Sequence, residues 1–325
     1  MLTIRKFNHT NQDFADVVAI YNADWPDEPI TIEEWRHYLD VRNPNFLDQQ
    51  FVMEQTGEQV AKPEMVATFR IWESEGSYVP GKYRIEYCIH PNALDQGIDE
   101  QIYQYITAYV KKRNPAPQFL DTKMREDRSD RIRFWTNHGF EIVMREPKSE
   151  LIVTNYDFSR FDGAFQKVAN HGIQILTMTE LQQRDPKWLR HYYNLFWLII
   201  NDVPSADKRT PIPFEKWRKR ITDSPNLLPE ANFFALDGDQ WVGTSNLWKD
   251  ASNKENLNVG VTGVLPSHRR QGIATALKLK TFDYAIEYGA ITLKTGNEEN
   301  NPMYELNLAL GFKPKPAWLS LRKTL

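Results

Sequence analysis

Two widely separated stretches of this chain repeat one another. His90-Pro91 leads to Gln96-Gly97-Ile98, and Leu265-Pro266 leads to Gln271-Gly272-Ile273, with the same Pro-to-Gly spacing. Downstream, His138-Gly139-Phe140 is answered by Leu310-Gly311-Phe312. Upstream, Glu33-Glu34-Trp35 is answered by Phe214-Glu215-Lys216-Trp217, and each half opens on a strand-like segment, Leu2–Lys6 or Ile173–Met178. Repetition at this scale belongs to duplicated domains rather than to a solenoid. The chain therefore reads as two tandem copies of one α+β domain, residues 1–158 and 170–325, joined within 155–170. With 325 residues, 41% of them hydrophobic and 13% aromatic, it has the length and the core material for two domains.

The element pattern agrees. In the first copy 50–55, 65–72, 83–89 and 119–124 are rich in β-branched and aromatic residues and read as strands, and 96–112 and 129–137 as helices. In the second copy 232–236, 241–248 and 257–264 form a strand meander with a turn at Gly238-Asp239, followed by a helix over 273–288 and a strand over 290–295. Long loops remain at 202–213 and 222–230. Trp188, Tyr192, Tyr193, Phe196 and Trp197 recur at helical spacing, which points to core packing before any ligand cage.

Chemistry concentrates at Val264-Leu-Pro-Ser-His-Arg269-Arg270-Gln271-Gly272-Ile273-Ala274-Thr275, a strand leaving through a basic, glycine-containing turn into a helix. Unpaired amides in a helix's first turn, with the positive end of its dipole, favour a phosphate or pyrophosphate. Arg269 and Arg270 add charge, Gly272 allows close backbone approach, and Ala274 keeps the next position unobstructed.

The spacing Arg269-x-x-Gly272-x-Ala274, followed by Asn300-Asn301-Pro302 and then Gly311-Phe312, resembles the acetyl-CoA pyrophosphate motif and downstream landmarks of the GNAT acetyltransferase superfamily. An altered copy ahead of an intact one is similar to the tandem-GNAT group that includes mycothiol synthase. The resemblance implies two GNAT-like domains, each a mostly antiparallel central sheet flanked by helices. It implies acetyl-CoA as cosubstrate, held by Val264, Arg269, Arg270, Gln271, Gly272, Ile273, Ala274, Thr275 and Asn300, and direct acetyl transfer to an amine of a small-molecule or peptide acceptor. In the family a fourth strand splays from a fifth, and Val264 matches the usual N–H donor to the thioester. The family often places a tyrosine acid four residues before the Gly of Gly-Phe. That position here is Asn307, with Tyr304 one helical turn earlier, so these two are the catalytic candidates. The two long loops lie where family members shape the acceptor pocket.

The copies differ at the turn. Leu94 stands for Arg269, Asp99 for Ala274, Arg128 for Asn300, and Asp95 adds a negative charge where a diphosphate would sit. A carboxylate about 4 Å from a phosphate costs roughly 1 kcal/mol in water and several times that at a protein surface. The first copy is therefore expected to bind CoA poorly. Glu230, Asp237, His268, Glu298 and Glu299 are each chemically able to act as a base, but none is fixed by a motif; Glu298 and Glu299 read as charge in the first turn of the last helix, and His268 as an ordinary loop residue.

Composition excludes other classes. A net charge of -3 carries no bias toward nucleic acid or anionic membranes, and the basic run 216–220 reads as a solvated helix face. The single cysteine, Cys88, excludes an intramolecular disulfide framework and a cysteine-rich zinc site, and its strand position reads as buried core. No metal is expected. The most apolar run, 192–200, is too short to span a bilayer; with a single cysteine a reducing cytosol is the expected compartment, and a monomer or homodimer is the expected state. The alternative to an enzyme is a non-catalytic acyl-CoA or metabolite sensor, favoured by Asn307 in the tyrosine position.

Overall fold

A computed structural model of the protein describes residues 1–57, 63–94, 96–161 and 163–325. Asp95, invoked above, lies outside them. The chain divides into two compact units, each a mixed sheet flanked by helices.

The first unit comprises Met1–Met144, Asp207–Thr210 and Leu319–Leu325. Its strands β1 (Leu2–Lys6), β2 (Asp48–Gln55), β3 (Glu64–Trp72), β4 (Lys82–Ile89) and β5 (Phe119–Arg125) lie in sequence order. The first three neighbouring pairs are antiparallel and β4–β5 is parallel. A parallel join needs a long crossover, here helix α3 (Ile98–Val110), which follows α1 (Asn11–Asp24) and α2 (Ile32–Asp40) of the β1–β2 connection. Helix α3 buries Ile98, Ile102, Ile106 and Val110 at four-residue spacing. On the same side, Phe51 and Phe69 stack 5.2 Å apart with Tyr105 edge-on to both. Helix α4 (Ser129–Asn137) buries Trp135, whose ring meets Phe140 edge-on at 4.8 Å.

Four charges hold distant segments of this unit together. Lys82 is 3% exposed and lies between Asp121, at 2.7 Å, and Asp207. Arg322 grips Asp121 through both carboxylate oxygens, at 2.8 and 2.9 Å, and reaches Asp207 at 2.9 Å. Residues 207–210 and 319–325 thus join the unit through ion pairs, supported by the Thr210 N–H donating to the Gly76 carbonyl at 2.9 Å.

The second unit comprises Arg145–Ala206 and Pro211–Trp318. It takes β6 (Glu141–Ile152) from Arg145 onward, α5 (Ala164–Asn170), β7 (Ile173–Thr177), α6 (Met178–Arg184), α7 (Trp188–Ile200), α8 (Phe214–Thr222), β8 (Leu227–Asp237), β9 (Gln240–Lys249), β10 (Asn256–Val259), β11 (Gly263–Val264), α9 (Ile273–Tyr288), β12 (Thr292–Gly296), α10 (Pro302–Ala309) and residues 313–318 of β13 (Lys313–Thr324). The order β7-β8-β9-β10-β12 repeats β1-β2-β3-β4-β5, again with a parallel last pair. Beyond β12 lies β6, antiparallel to it.

The units divide at Met144/Arg145 rather than within 155–170. That stretch is not a connector, because its aromatics are core: Tyr156, Phe158 and Phe161 pack against the cluster of Leu279, Phe282 and Phe312, with Tyr156 edge-on to Phe282 at 5.0 Å. Helix α5 follows and buries Val168 against Ile273 and Leu277. Cys88 is buried in β4 as expected, and the aromatics of α7 form core with Trp217 and Phe234. No described helix is long and apolar enough to cross a membrane.

Replacing Lys82 with Met leaves two carboxylates sharing one guanidinium, and breaking a buried pair costs about 3–5 kcal/mol. Burial would raise the Asp207 pKa, but Lys82 and Arg322 outweigh it and hold it below the usual carboxylate range. A depressed folded pKa gives stability that is present above the unfolded value, about 3.9, and is lost as pH falls through the folded one. Urea unfolding of the full chain should show a Lys82→Met deficit at pH 7 that shrinks on acidification below about pH 4; a deficit independent of pH would contradict the ion-pair account.

Candidate active site

The strand expected over 257–264 is broken. Val259 pairs with Leu247 and Gly263 with Thr244, so residues 260–262 of one strand face only Ser245 and Asn246 of β9. The extra residue is a β-bulge, which bends its strand and re-aims the backbone. Two glycines permit it. A Cβ on Gly260 would sit 2.1 Å from Asn246 Oδ1, and one on Gly263 would sit 2.2 Å from Ile199 Cγ2.

The bulge opens the sheet. The parallel register of β10 with β12 ends at Asn258 and Lys294, while β11 pairs only with β9. The Leu265 N–H donates to the Val242 carbonyl at 2.8 Å, so Leu265 holds a bonded position on β9. Antiparallel alternation then makes Val264, opposite Gly243, a non-bonded position whose N–H and C=O point away from β9. The Val264 carbonyl accepts Arg269 Nε at 3.1 Å.

The chain next passes through a 3-10 turn, Pro266–His268, and enters α9 through Gly272 at φ +86°. Arg270 also has positive φ, +65°, a conformation disfavoured for a residue with a Cβ and characteristic of functional turns. The Ala276 N–H donates to the Gly272 carbonyl, so the amides of Ile273, Ala274 and Thr275 lie before the first helical bond. No acidic residue occupies this first turn. Ile273 is buried against Val242, Val264 and Leu277 and locks the turn to the sheet. Arg270 is exposed and Gln271 half-buried. Arg269 is turned aside, its guanidinium 2.6 Å from Asp202. The Lys167 stem of α5 covers Gly272, with Cδ 3.4 Å from where a Cβ would be.

Of the other candidates, Asn300 is bonded through both its N–H and its side-chain amide to Glu298, at 2.9 and 2.7 Å. Its neighbour Asn301 caps α10 by accepting the Met303 N–H at 2.9 Å. Glu298 and Glu299 therefore precede the last helix, whose first-turn acid is Glu305; Glu299 pairs instead with Arg145 at 3.2 Å. Tyr304 is half-buried on α10. Asn307 is buried and donates to Asn297 Oδ1 at 2.6 Å, leaving its own Oδ1 without a partner. His268 bridges Ser267 and Asp237 at 2.8 and 3.2 Å, and Glu230 accepts from Thr179 at 3.2 Å. Among the described residues no cluster suits a metal ion.

The first unit offers an internal control. His90 donates to the Val66 carbonyl at 2.8 Å as Leu265 does to Val242, so Ile89 is the counterpart of Val264. Register β3–β4 runs unbroken from Ala67/Ile89 to Trp72/Arg84, with no bulge. The Ile89 N–H is taken by the buried Asp24 carboxylate at 3.3 Å, which Arg131 of α4 clamps at 2.8 and 2.9 Å. Arg125, Arg128 and Arg131 face the Trp25 ring beside it, and Arg128 donates to the Asp24 carbonyl. Gly97 keeps positive φ, but Asp99 and Glu100 stand in the helix's first turn.

Residues 189–312 match the model of the Acetyltransferase (GNAT) family. That match falls largely within the second unit. The chain as a whole has the fold of a tandem GNAT protein from the clavulanic acid biosynthesis pathway, at 15% identity and a TM-score of 0.74 over 100% of this chain and 98% of that one. A GCN5-related N-acetyltransferase from Sphaerobacter thermophilus gives 15% identity and 0.71 over 99% and 95%. No curated protein matches the sequence.

The second unit also buries a cation away from the turn. Lys278, on α9, is 1% exposed, has no ion pair among the described residues, and meets the Phe312 ring at 5.6 Å. Its signal in the sequence was a lysine on the apolar face between Leu277 and Leu279. Burial pushes its pKa down to about 7. A lysine with a lowered folded pKa penalises folding fully below that value, and the penalty fades as pH rises toward the unfolded pKa, about 10.4. Lys278→Met should therefore raise thermal stability most at pH 6 to 7, with the gain narrowing toward pH 10; destabilisation at pH 6 would show that the ammonium has a partner in the fold.

Proposed function

We propose that the GNAT domain transfers an acetyl group from acetyl-CoA to a primary amine of a small-molecule or peptide acceptor by direct attack. The observation that carries this reading is the Val264 amide aimed into the gap between β11 and β12, one turn away from the unpaired amides at the head of α9. When bound, acetyl-CoA supplies an electrophilic carbonyl and a thiolate leaving group. The amides of Ile273, Ala274 and Thr275, with the helix dipole and Arg270, hold a diphosphate. The Val264 N–H lies ready to donate to an oxygen that gains negative charge, a contact that strengthens as the reaction proceeds. Tyr304 is the proposed proton donor to the leaving sulfur. Asn307, tied to Asn297, positions α10. Loops 202–206 and 222–226 flank the acceptor side, and the first unit, its amide capped by Asp24, supports the fold without turning over acetyl-CoA. We assign the activity to the cytoplasm, to a monomer or homodimer, without metal or nucleic acid.

A second reading, a non-catalytic acyl-CoA sensor, draws on Asn307 being committed to Asn297 where a tyrosine acid is usual. CoA release from acetyl-CoA, followed across a panel of primary amines, separates the two: turnover on at least one amine is expected, and stoichiometric binding without turnover on any would favour the sensor. Gly272→Val forces a β-branched residue to positive φ and puts methyl groups over the first-turn amides. It should weaken CoA binding at least tenfold with the circular dichroism spectrum retained, and unchanged affinity would remove the turn from the site.

A further inference from the structure

Each of the three bulge residues has its own tether. Gly260 donates its N–H to the Asn246 carbonyl at 3.0 Å. Val261 packs against the core of Tyr192, Ile199 and Trp217. The hydroxyls of Thr262 and Ser245 share a hydrogen bond of 2.9 Å. Ser245 and Asn246, the two residues of β9 that face these three, are 0% and 1% exposed, and polar side chains lie so deep in a fold only when they are paired.

Asn246 also fills the space over the bulge. An indole N–H can only donate, so the Asn246 atom that meets Trp248 Nε1 at 3.0 Å is Oδ1, and Nδ2 is left to donate to the buried Tyr192 hydroxyl of α7 at 3.4 Å. The joined amide and indole lie where a Gly260 side chain would be: a Cβ there would stand 2.1 Å from Asn246 Oδ1 and 2.6 Å from Trp248 Nε1. The pair and the glycine therefore fit only together. The first unit has neither. Counting along β3 from Ala67, which faces Ile89 as Gly243 faces Val264, Phe69 and Arg70 stand in place of Ser245 and Asn246. Phe69 stacks on Phe51, Arg70 forks onto Asp48 at 2.7 and 2.5 Å, and the register is continuous.

We propose that Asn246 is a positioning residue for acyl transfer, holding the 260–262 bulge through Trp248 and Tyr192 so that the Val264 N–H faces away from β9. With 1% exposure it acts through the backbone rather than on a substrate. A strand that loses its bulge slips by one position, and the slip exchanges bonded for non-bonded places along the pair. Without the Asn246 side chain, the room above Gly260 lets the bulge relax in that way, and the Val264 amide loses its direction. The turn at the head of α9 is fixed separately, by Ile273 packed against Val242 and Leu277, so cofactor binding there does not depend on Asn246. The inference rests on the acetyl-transfer reading of the second unit.

Steady-state kinetics of the full chain with an amine that supports turnover, beside calorimetric titration with CoA, test it. Asn246→Ala should lower kcat at least tenfold while the CoA Kd stays within twofold. Trp248→Phe keeps a ring but drops the indole N–H, and should lower kcat by a smaller factor, again with CoA affinity retained. In the double variant the two losses should fall short of multiplying, because both remove the same hydrogen bond. A kcat within twofold of the parent in Asn246→Ala, or in Trp248→Phe where Asn246→Ala does not fold, would overturn the proposal, as would an equal loss of CoA affinity, the mark of a general structural role. Absence of turnover by the parent on every amine would instead remove the acetyl-transfer reading, and the proposal with it.

Discussion

One residue more on one side of a strand pair than on the other is the constraint on which the chemistry proposed for the second unit rests. Without the extra residue in 260–262, β10 would run on along β9 in unbroken register, as β4 runs along β3. With it, the backbone enters the turn before α9 with Ile273 packed on the sheet and the Val264 amide facing away from β9. Gly260 and Gly263 make this arrangement possible, because side chains there would collide with Asn246 and Ile199.

The two copies fill the same place in the scaffold differently. Their strand orders are the same, and the amides of Ile89 and Val264 occupy equivalent places. In the first copy a carboxylate and an arginine from the surrounding helices fill the position with a buried pair, Asp24 and Arg131. Such a pair is costly to open, since removing either partner leaves an uncompensated buried charge. Closure is thus a matter of stability as well as of shape.

Much of this was legible in residues. The Pro-to-Gly repeat identified the duplication, and α9 runs from Ile273 to Tyr288 as read. Cys88 lies in the core, and Leu94 and Asp99 marked the altered turn. What was missed follows from physical limits on pattern reading. A bulge adds one residue without disturbing alternation enough to notice, although Gly260-x-x-Gly263 was its visible signal. Residues 155–170 read as a connector because Tyr156, Phe158 and Phe161 are scattered among polar residues, yet three rings suffice to anchor a segment on Phe282. The assignment of 207–210 and 319–325 to the first unit rests on Asp207 and Arg322 meeting Lys82 and Asp121. Periodicity cannot report such long-range ion pairs. Lys278 had a visible signal between Leu277 and Leu279, but its burial without a counter-ion was readable only once its surroundings were known.

A crystal structure of the full chain grown with acetyl-CoA tests the central claim most directly. The account predicts one cofactor per chain, its diphosphate on the amides of residues 273–275 and its thioester oxygen within hydrogen-bond distance of the Val264 N–H, with Asp24 still seated on Ile89. A cofactor lying across Gly97, with Asp24 displaced, would contradict it.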